Sequence, residues 1–287
     1  MSQSARRSLL FAPATRPEIF AKALASGADL VCVDLEDAVA PDLKPAARPA
    51  GFDFLRAAAG DGAGGPERIL RINGLKTIAG LHDLAALAGA GIPTGIVMLP
   101  KVESAEELRL ADAVLTEAGS ALKLAVLVES VRGIEAAHAI AAATPRLDLM
   151  MFGGADLAAE LGTRVAPEPM AYARARLVQA ARGAGIDLID VPALDFRSPD
   201  AVAEDAARAR DLGFTGKAAL HPANVALVNA AFTPDAAEIA WARRVIEAFE
   251  ASAGGVAVLD GKLIEKPVVA AQRRVLSRAR AAGLLAA

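Results

Sequence analysis

The sequence predicts a (β/α)₈ barrel, and three observations lead to this prediction. The chain has 287 residues, of which 54% are apolar, enough for one large core. Eight short apolar runs, many rich in β-branched residues, alternate with longer stretches of helical period. Most of these runs are apolar on both faces, as strands are when helices cover a parallel sheet. A doubly wound open sheet is the alternative fold for the same alternation.

The predicted elements follow one another along the whole chain. Strands are predicted at residues 8–13, 28–37, 68–73, 95–102, 123–130, 147–154, 187–193 and 217–222. Helices are predicted between them, among others at residues 17–26, 103–118, 132–143, 168–184 and 198–212. The segment 59–67 is predicted to be a loop because it is rich in glycine, and it is not predicted to bind phosphate because it lacks the Gly-Lys-Ser/Thr ending of a phosphate-binding loop.

These elements place the barrel in residues 1–230 and leave residues 231–287 as a C-terminal extension. The extension contains a helical segment at 235–252, a short hairpin in VAVLDGKLIEKP and a basic helix after it. Such an extension is surplus to a barrel. We expect it to act as a lid on the barrel or to pack on a neighbouring subunit.

Composition argues against several classes of protein. The formal net charge of −3 gives no general affinity for nucleic acid or for an anionic membrane. Cys32 is the single cysteine, so the chain forms no internal disulfide and no cysteine metal cage. The amino-terminal residues lack a secretory apolar segment, and no run of uncharged apolar residues is long enough to span a membrane. We expect a cytoplasmic protein with neither nucleic-acid nor membrane partners.

Polar residues recur at the carboxyl end of the predicted strands. They include Arg16, Glu36, Asp37, Arg71, Lys101, Glu129, Asp156 and His221. Any one of them, taken alone, would also suit the first turn of the next helix. Barrel enzymes carry their chemistry at this end of the barrel, so the repeated pattern predicts an active site there.

The segment VCVDLED, at 31–37, runs from a buried strand straight into carboxylates, which are costly together unless a cation neutralises them. Oxygen ligands suit a hard cation, and Mg²⁺ typically takes one or two carboxylates with waters and substrate oxygens. Glu129 and Asp156 are the predicted metal ligands, because they end adjacent strands. Glu36 and Asp37 would hold metal-bound waters. Arg71 would face an anionic group or a developing oxyanion of the substrate.

The remaining residues that often carry chemistry have simpler interpretations. Cys32 lies between two valines and is interpreted as a small buried hydrophobe. His82 and His138 lie in helical segments and are interpreted as structural or exposed. His221 ends the last strand, where it would either orient a neighbour or pack.

The stretch RSLLFAPATRPEIFAKALASGADLVCVDLEDAV resembles the start of citrate lyase β-subunit-like proteins. These belong to the HpcH/HpaI aldolase superfamily, with malyl-CoA and citramalyl-CoA lyases as relatives. The similarity continues in order through RIN, LPKVES, VLVESVRGI, FGGADLAAELG, GKAALHP and LDGKLIEKP. The resemblance implies a barrel that binds Mg²⁺ and is usually a homotrimer.

The resemblance also implies roles for individual residues. Glu129 and Asp156 match the metal ligands, and Glu36 and Asp37 match the acids around the metal waters. Arg71 and Glu129 match residues that contact the substrate. Arg16 and Lys22 match positions that meet the phosphates of a CoA-type ligand.

Two positions depart from the family pattern. The family's tail pattern Gly-Lys-Met-Ile-Asp ends in an acid/base that reaches the neighbouring subunit, and here Glu265 takes that place. Its side chain is one methylene longer, which would shift the carboxylate by about an ångström, enough to alter the rate or the preferred substrate. Ala155 stands where many relatives carry an acid, so a further contact near the metal is missing from the pattern.

These observations predict a Mg²⁺-dependent carbon–carbon lyase. Its substrate would be a 3-hydroxy-3-carboxyacyl thioester of the malyl, citramalyl or citryl type, carried by CoA or by an acyl carrier protein. The products would be an acyl thioester and a 2-oxo acid, with Arg71, Glu265, Glu36 and Asp37 as catalytic residues. The alternatives are a metal aldolase for free hydroxy-oxo acids, a thioesterase, and a non-catalytic acyl-CoA-binding protein or lyase-complex subunit.

Overall fold

The computed structural model describes residues 5–60, 65–252 and 255–286. Eight parallel strands close into a barrel in the order of the sequence, with β1 paired to both β2 and β8. The strands are β1 (Ser8–Pro13), β2 (Leu30–Asp34), β3 (Glu67–Arg71), β4 (Ile96–Leu99), β5 (Lys123–Val128), β6 (Leu147–Phe152), β7 (Asp187–Asp190) and β8 (Gly216–Ala219). The closed barrel confirms the predicted fold class and excludes the open sheet.

Helices connect the strands. They are α1 (Phe20–Leu24), α2 (Lys44–Arg56), α3 (Ile78–Ala88), α4 (Ala105–Glu117), α5 (Val131–Glu135), α6 (Ala137–Ala141), α7 (Gly154–Leu161), α8 (Pro167–Ala184), α9 (Pro199–Leu212) and α10 (Val225–Phe232). The predicted helix at 132–143 is two short helices, α5 and α6. Across the described residues, the structure contains no helix that combines the length and apolarity needed to cross a bilayer.

The predicted loop at 59–67 falls partly on residues 61–64, which lie outside the described residues. Before them is a 3₁₀ turn, Ala57–Gly60, and Glu67 begins β3.

The barrel interior is filled by alternate residues of the strands. The core cluster consists of Leu9, Leu30, Cys32, Ile69, Ile96, Met98, Ala125, Leu127, Leu149, Met151, Ile189 and Ala218. Cys32 is fully buried, as predicted, and burial raises the pKa of its thiol, so the thiolate is disfavoured. Since side chains alternate along a strand, this register also fixes which residues face inward above the core.

The described chain forms two compact units, Arg6–Asn229 and a second made mainly of the residues from Ala230 onward. The second unit contains α11 (Ala236–Ala251), a hairpin of β9 (Ala257–Leu259) and β10 (Lys262–Ile264), and α12 (Lys266–Ala281). A capping box between Asp235 and Glu238 starts α11. The hydrophobic core of this second unit includes Phe249 and Ile264. The hairpin and the helix after it agree with the sequence prediction.

Candidate active site

Two carboxylates meet where β5 and β6 end. Glu129 directly follows β5, and Asp156 lies in the first turn of α7, just after β6. The Glu129 side chain is buried, and Gly153 makes room for it, since a Cβ at Gly153 would lie 2.7 Å from Glu129 Oε2. Burial, followed by the neighbouring charge of Asp156, raises the pKa of Glu129 to about 8. The pair therefore resists carrying two negative charges without a cation.

This pair has the properties of a site for a hard divalent cation. Asp156 Oδ2 is buried and has no hydrogen-bond partner among the described residues. Glu129 Oε1 accepts the backbone N–H of Lys101 at 2.9 Å. The described part of the chain has no group of three or more His, Cys, Asp or Glu that could hold a metal. Two carboxylates leave the other positions around an ion to water and substrate oxygens, as is usual for Mg²⁺.

Glu36 and Asp37 lie in the loop after β2 and share the ammonium of Lys101. Lys101 Nζ contacts Glu36 Oε1 and lies 3.1 Å from Asp37 Oδ1. Burial raises the pKa of Glu36, whereas for Asp37 the Lys101 ammonium outweighs partial burial and lowers the pKa. Lys101 thus neutralises part of the acidic end of VCVDLED in this structure.

Arg71 ends β3 and is held in place by Asp34. Its Nε lies 2.7 Å from Asp34 Oδ1 and its Nη2 lies 2.6 Å from Asp34 Oδ2, a bidentate pair. Its Nη1 is 3.2 Å from Glu36 Oε2, and its guanidinium lies over the Phe11 ring. Sequence reasoning gave Asp34 no role. The register of β2 against β3 would have revealed the role of Asp34, because it makes Asp34 the direct partner of Arg71.

A second polar chain supports the loop that carries Glu36. Lys44 Nζ donates to the Glu36 backbone carbonyl at 2.9 Å and contacts Asn73 Oδ1. Asn73 Nδ2 donates to Asp83 Oδ2 at 2.6 Å, and Arg48 Nε donates to Asp83 Oδ1 at 2.7 Å. These partners fix the loop backbone, which is how a flexible connection can hold a carboxylate in one place.

Arg16 and Lys22 make no hydrogen bond or ion pair with this cluster among the described residues. Arg16 is exposed and pairs with Glu18, and Lys22 is exposed on α1. Glu265 is exposed in the second compact unit, where it precedes α12. The structure therefore brings together the predicted metal ligands, the acid pair and Arg71. It does not add Arg16 and Lys22 to that cluster.

The histidines take no part in the cluster. His82 and His138 are exposed on α3 and α6, as expected. His221 is exposed and accepts the Ala223 N–H on Nδ1 at 3.2 Å, which caps a short 3₁₀ turn. Of its two interpretations, this contact favours the one in which it orients a neighbour.

Comparison with known proteins gives the family. The model of a family described as HpcH/HpaI aldolase/citrate lyase matches residues 7–222. The chain belongs to this family. It is accordingly a carbon–carbon lyase, which confirms the resemblance noted in the sequence. The matched residues include every member of the cluster described above.

Relatives in the HpcH/HpaI family align over most of this chain. An L-malyl-CoA/beta-methylmalyl-CoA lyase of Rhodobacter capsulatus is 36% identical over 90% of this chain and 90% of the relative. A (3S)-malyl-CoA thioesterase of Cereibacter sphaeroides is 37% identical over 96% of this chain and 95% of the relative. The crystal structure of Mycobacterium tuberculosis CitE in complex with magnesium, acetoacetate and coenzyme A is 34% identical, with a TM-score of 0.79, and the match covers 98% of this chain and 100% of that chain.

Proposed function

We propose that this protein is a Mg²⁺-dependent lyase that cleaves a 3-hydroxy-3-carboxyacyl-CoA into an acyl-CoA and a 2-oxo acid. The observation that carries the proposal is the pair formed by the buried Glu129 and the half-buried Asp156, beside the arginine that Asp34 fixes. The raised pKa of Glu129 and an Asp156 oxygen atom with no hydrogen-bond partner among the described residues suit a cation. Support for the thioester comes from the relatives that act on malyl-CoA and from the CitE complex with magnesium and coenzyme A.

Glu129 and Asp156 would hold the ion, and Glu36 and Asp37 would orient waters around it. A bound Mg²⁺ would supply positive charge that favours loss of the proton from the substrate hydroxyl. The Glu129 oxygen that accepts the Lys101 N–H is fixed before any ligand arrives. Such preorganisation lowers the cost of assembling the site around substrate.

Arg71 would stabilise the thioester enolate. Asp34 occupies the Nε–Nη2 edge of its guanidinium, so the Nη1 end remains for a substrate oxygen beside Glu36. When the carbon–carbon bond breaks, negative charge develops on the thioester oxygen. A fixed guanidinium stabilises that charge without reorganising during the reaction.

Glu265 in its protonated form would complete the reaction by giving that proton to the α-carbon as the enolate collapses, and the proton released from the substrate hydroxyl to solvent would balance the one consumed. We expect it to act in the active site of a neighbouring copy, in a homotrimer. Its hairpin supports a role at an interface, since Val258 and Leu263 are cross-strand partners and both are exposed. Arg16 and Lys22 would meet the phosphates of CoA.

A substrate panel tests the proposal. Purified protein with Mg²⁺ is incubated with malyl-, citramalyl- and citryl-CoA, and release of the 2-oxo acid is measured. At least one thioester should be cleaved, EDTA should abolish cleavage, and added Mg²⁺ should restore it. Cleavage that continues unchanged in EDTA would contradict the metal assignment.

Co-expression of two inactive variants tests the placement of Glu265. Glu129→Ala and Glu265→Ala should each be inactive alone, and mixed oligomers should recover part of the activity because some sites then contain both native residues. No recovery in mixed oligomers would indicate that Glu265 serves its own barrel.

Hydrolysis of the thioester is the second candidate activity, because a relative of comparable identity is a (3S)-malyl-CoA thioesterase. The same panel separates the two. Lyase activity releases a 2-oxo acid and leaves the thioester bond intact, whereas hydrolysis releases free CoA thiol. Thiol release without a 2-oxo acid would favour the thioesterase.

A further inference from the structure

Lys101 has a backbone conformation that L-residues with a side chain rarely adopt. Its φ is +55°, in the left-handed region, at the second residue after β4. This conformation crowds a Cβ, so a residue other than glycine persists there when its surroundings hold it. Here the backbone N–H is directed at Glu129 Oε1, at 2.9 Å.

The side chain of the same residue faces the other acids of the site. Its ammonium contacts Glu36, lies 3.1 Å from Asp37 and lies 3.8 Å from Asp156 Oδ2. Lys101 therefore touches Glu129 through its backbone and the other three carboxylates through its ammonium. The left-handed backbone allows one residue to make both sets of contacts.

We propose that Lys101 is a positioning residue with two opposite effects: its backbone fixes Glu129 for a divalent cation, and its ammonium competes with that cation for the acidic site. This inference rests on the proposed function, because it places the cation at Glu129 and Asp156. While no divalent ion is bound, the ammonium holds the carboxylates together.

Removal of the ammonium should therefore change metal affinity and stability in opposite directions. Lys101→Met keeps most of the side-chain length and loses the charge. Because a positive charge no longer repels the ion, Mg²⁺ should bind about tenfold more tightly. Because Asp37 and Asp156 lose the ammonium and Glu36 keeps only Arg71 as a counter-ion, the metal-free variant should unfold about 3 °C below the wild type. A residue with a purely structural role would weaken both properties when replaced.

Two further substitutions separate the backbone from the ammonium. Lys101→Gly keeps the left-handed backbone and its N–H, so its Mg²⁺ affinity should also rise, and it should unfold at a higher temperature than Lys101→Met. Lys101→Val places a β-branched residue where that conformation is least tolerated. Its N–H should leave Glu129, and its Mg²⁺ affinity should lie below that of Lys101→Met and Lys101→Gly.

The experiment is a calorimetric titration of the full-length protein with MgCl₂ alone, together with thermal unfolding in EDTA. Lys76→Met is the matched control, because Lys76 is similarly exposed, 53% against 46% for Lys101, and pairs instead with Glu103 and Glu107. Its Mg²⁺ affinity should equal that of the wild type. Tighter binding by Lys101→Met with a lower unfolding temperature supports the inference.

Two results would overturn the inference about Lys101, and only one of them also overturns the proposed metal dependence. If the wild type binds Mg²⁺ and Lys101→Met binds it no more tightly, this inference alone is wrong. If the wild type binds no Mg²⁺, the proposed metal dependence is wrong and the competition fails with it.

Discussion

The two ends of the barrel use the same kinds of charged residue in opposite ways. At the amino ends of the strands, Arg6 lies 2.7 Å from both oxygens of Glu67, 3.3 Å from Asp187, and also contacts Asp148. At the carboxyl ends, the Glu129–Asp156 pair has a buried oxygen with no hydrogen-bond partner among the described residues. The first arrangement satisfies its charges, and the second leaves some of them for a ligand.

The pKa shifts follow this difference. For Asp148, burial acts to raise the pKa, but hydrogen bonding and attraction by Arg6 outweigh it and lower the pKa. For Glu129, burial and Asp156 act in the same direction and raise the pKa to about 8. Charges that are paired at the amino ends of barrel strands, here called the floor of the barrel, contribute to stability. Carboxylates with strongly shifted pKa values at the carboxyl ends indicate a catalytic or binding site. Substitutions at the two ends should therefore affect different properties.

Glu129→Gln should have the largest effect on activity. The variant keeps the shape of the side chain but loses a charged ligand, so turnover should fall about 10³-fold or more. In EDTA the same variant should unfold at a higher temperature than the wild type at neutral pH, because an amide needs neither a buried charge nor the uptake of a proton on folding. Turnover assays and thermal unfolding measure the two changes. Glu103→Gln, at an acid paired with Lys76, is the control and should retain activity. Wild-type turnover in Glu129→Gln would contradict the metal site.

Arg6→Met should have the opposite profile. The Arg6 side chain is only 10% exposed and pairs with three carboxylates that are 27–29% exposed, so its loss leaves Glu67 and Asp187 without this partner and should cost about 2–3 kcal/mol of stability. Turnover of the folded variant should stay close to the wild type. Urea denaturation measures the loss, and Arg109→Met, at an exposed pair with Glu106, should cost less than about 1 kcal/mol. Equal costs for the two variants would mean that the floor pairs are no stronger than surface pairs.

The sequence predicted what depends on local periodicity and on the ends of strands. The barrel follows from the alternation of elements, and Glu129 and Asp156 follow from their positions after adjacent strands. Contacts that depend on register or on an unusual backbone were not predicted. Asp34 lies inside the strand predicted at 28–37, and its pairing with Arg71 depends on how two strands align. The contact of Lys101 with Glu129 needs a positive φ, which a lysine in a sequence does not signal.

Asp34→Asn should lower the rate of the reaction by less than Glu129→Gln does, and it should leave metal binding almost unchanged. The guanidinium of Arg71 loses its charged bidentate partner and becomes free to reorient, so kcat should fall about 10- to 100-fold. The Mg²⁺ affinity should change little, because Asp34 contacts Arg71 and backbone N–H groups and has no contact with Glu129 or Asp156 among the described residues. Steady-state kinetics and a Mg²⁺ titration measure the two. An unchanged kcat would show that Arg71 needs no such support.

Asp148→Asn should have the smallest effect on stability, and the size of that effect depends on pH. Arg6 and Lys123 hold the folded-state pKa of Asp148 below its ordinary value of 3.8. A carboxylate with a lowered pKa contributes stability above the unfolded-state pKa, and that contribution is lost as the pH falls through the folded-state pKa. At pH 7 the variant should therefore be about 1 kcal/mol less stable than the wild type. Below about pH 4 the difference should shrink steadily, because the wild type begins to lose the same contribution by protonation. Urea midpoints measured from pH 7 to pH 3 would show this, and a constant separation at every pH would mean that the stabilisation at the floor does not come from the charge of Asp148.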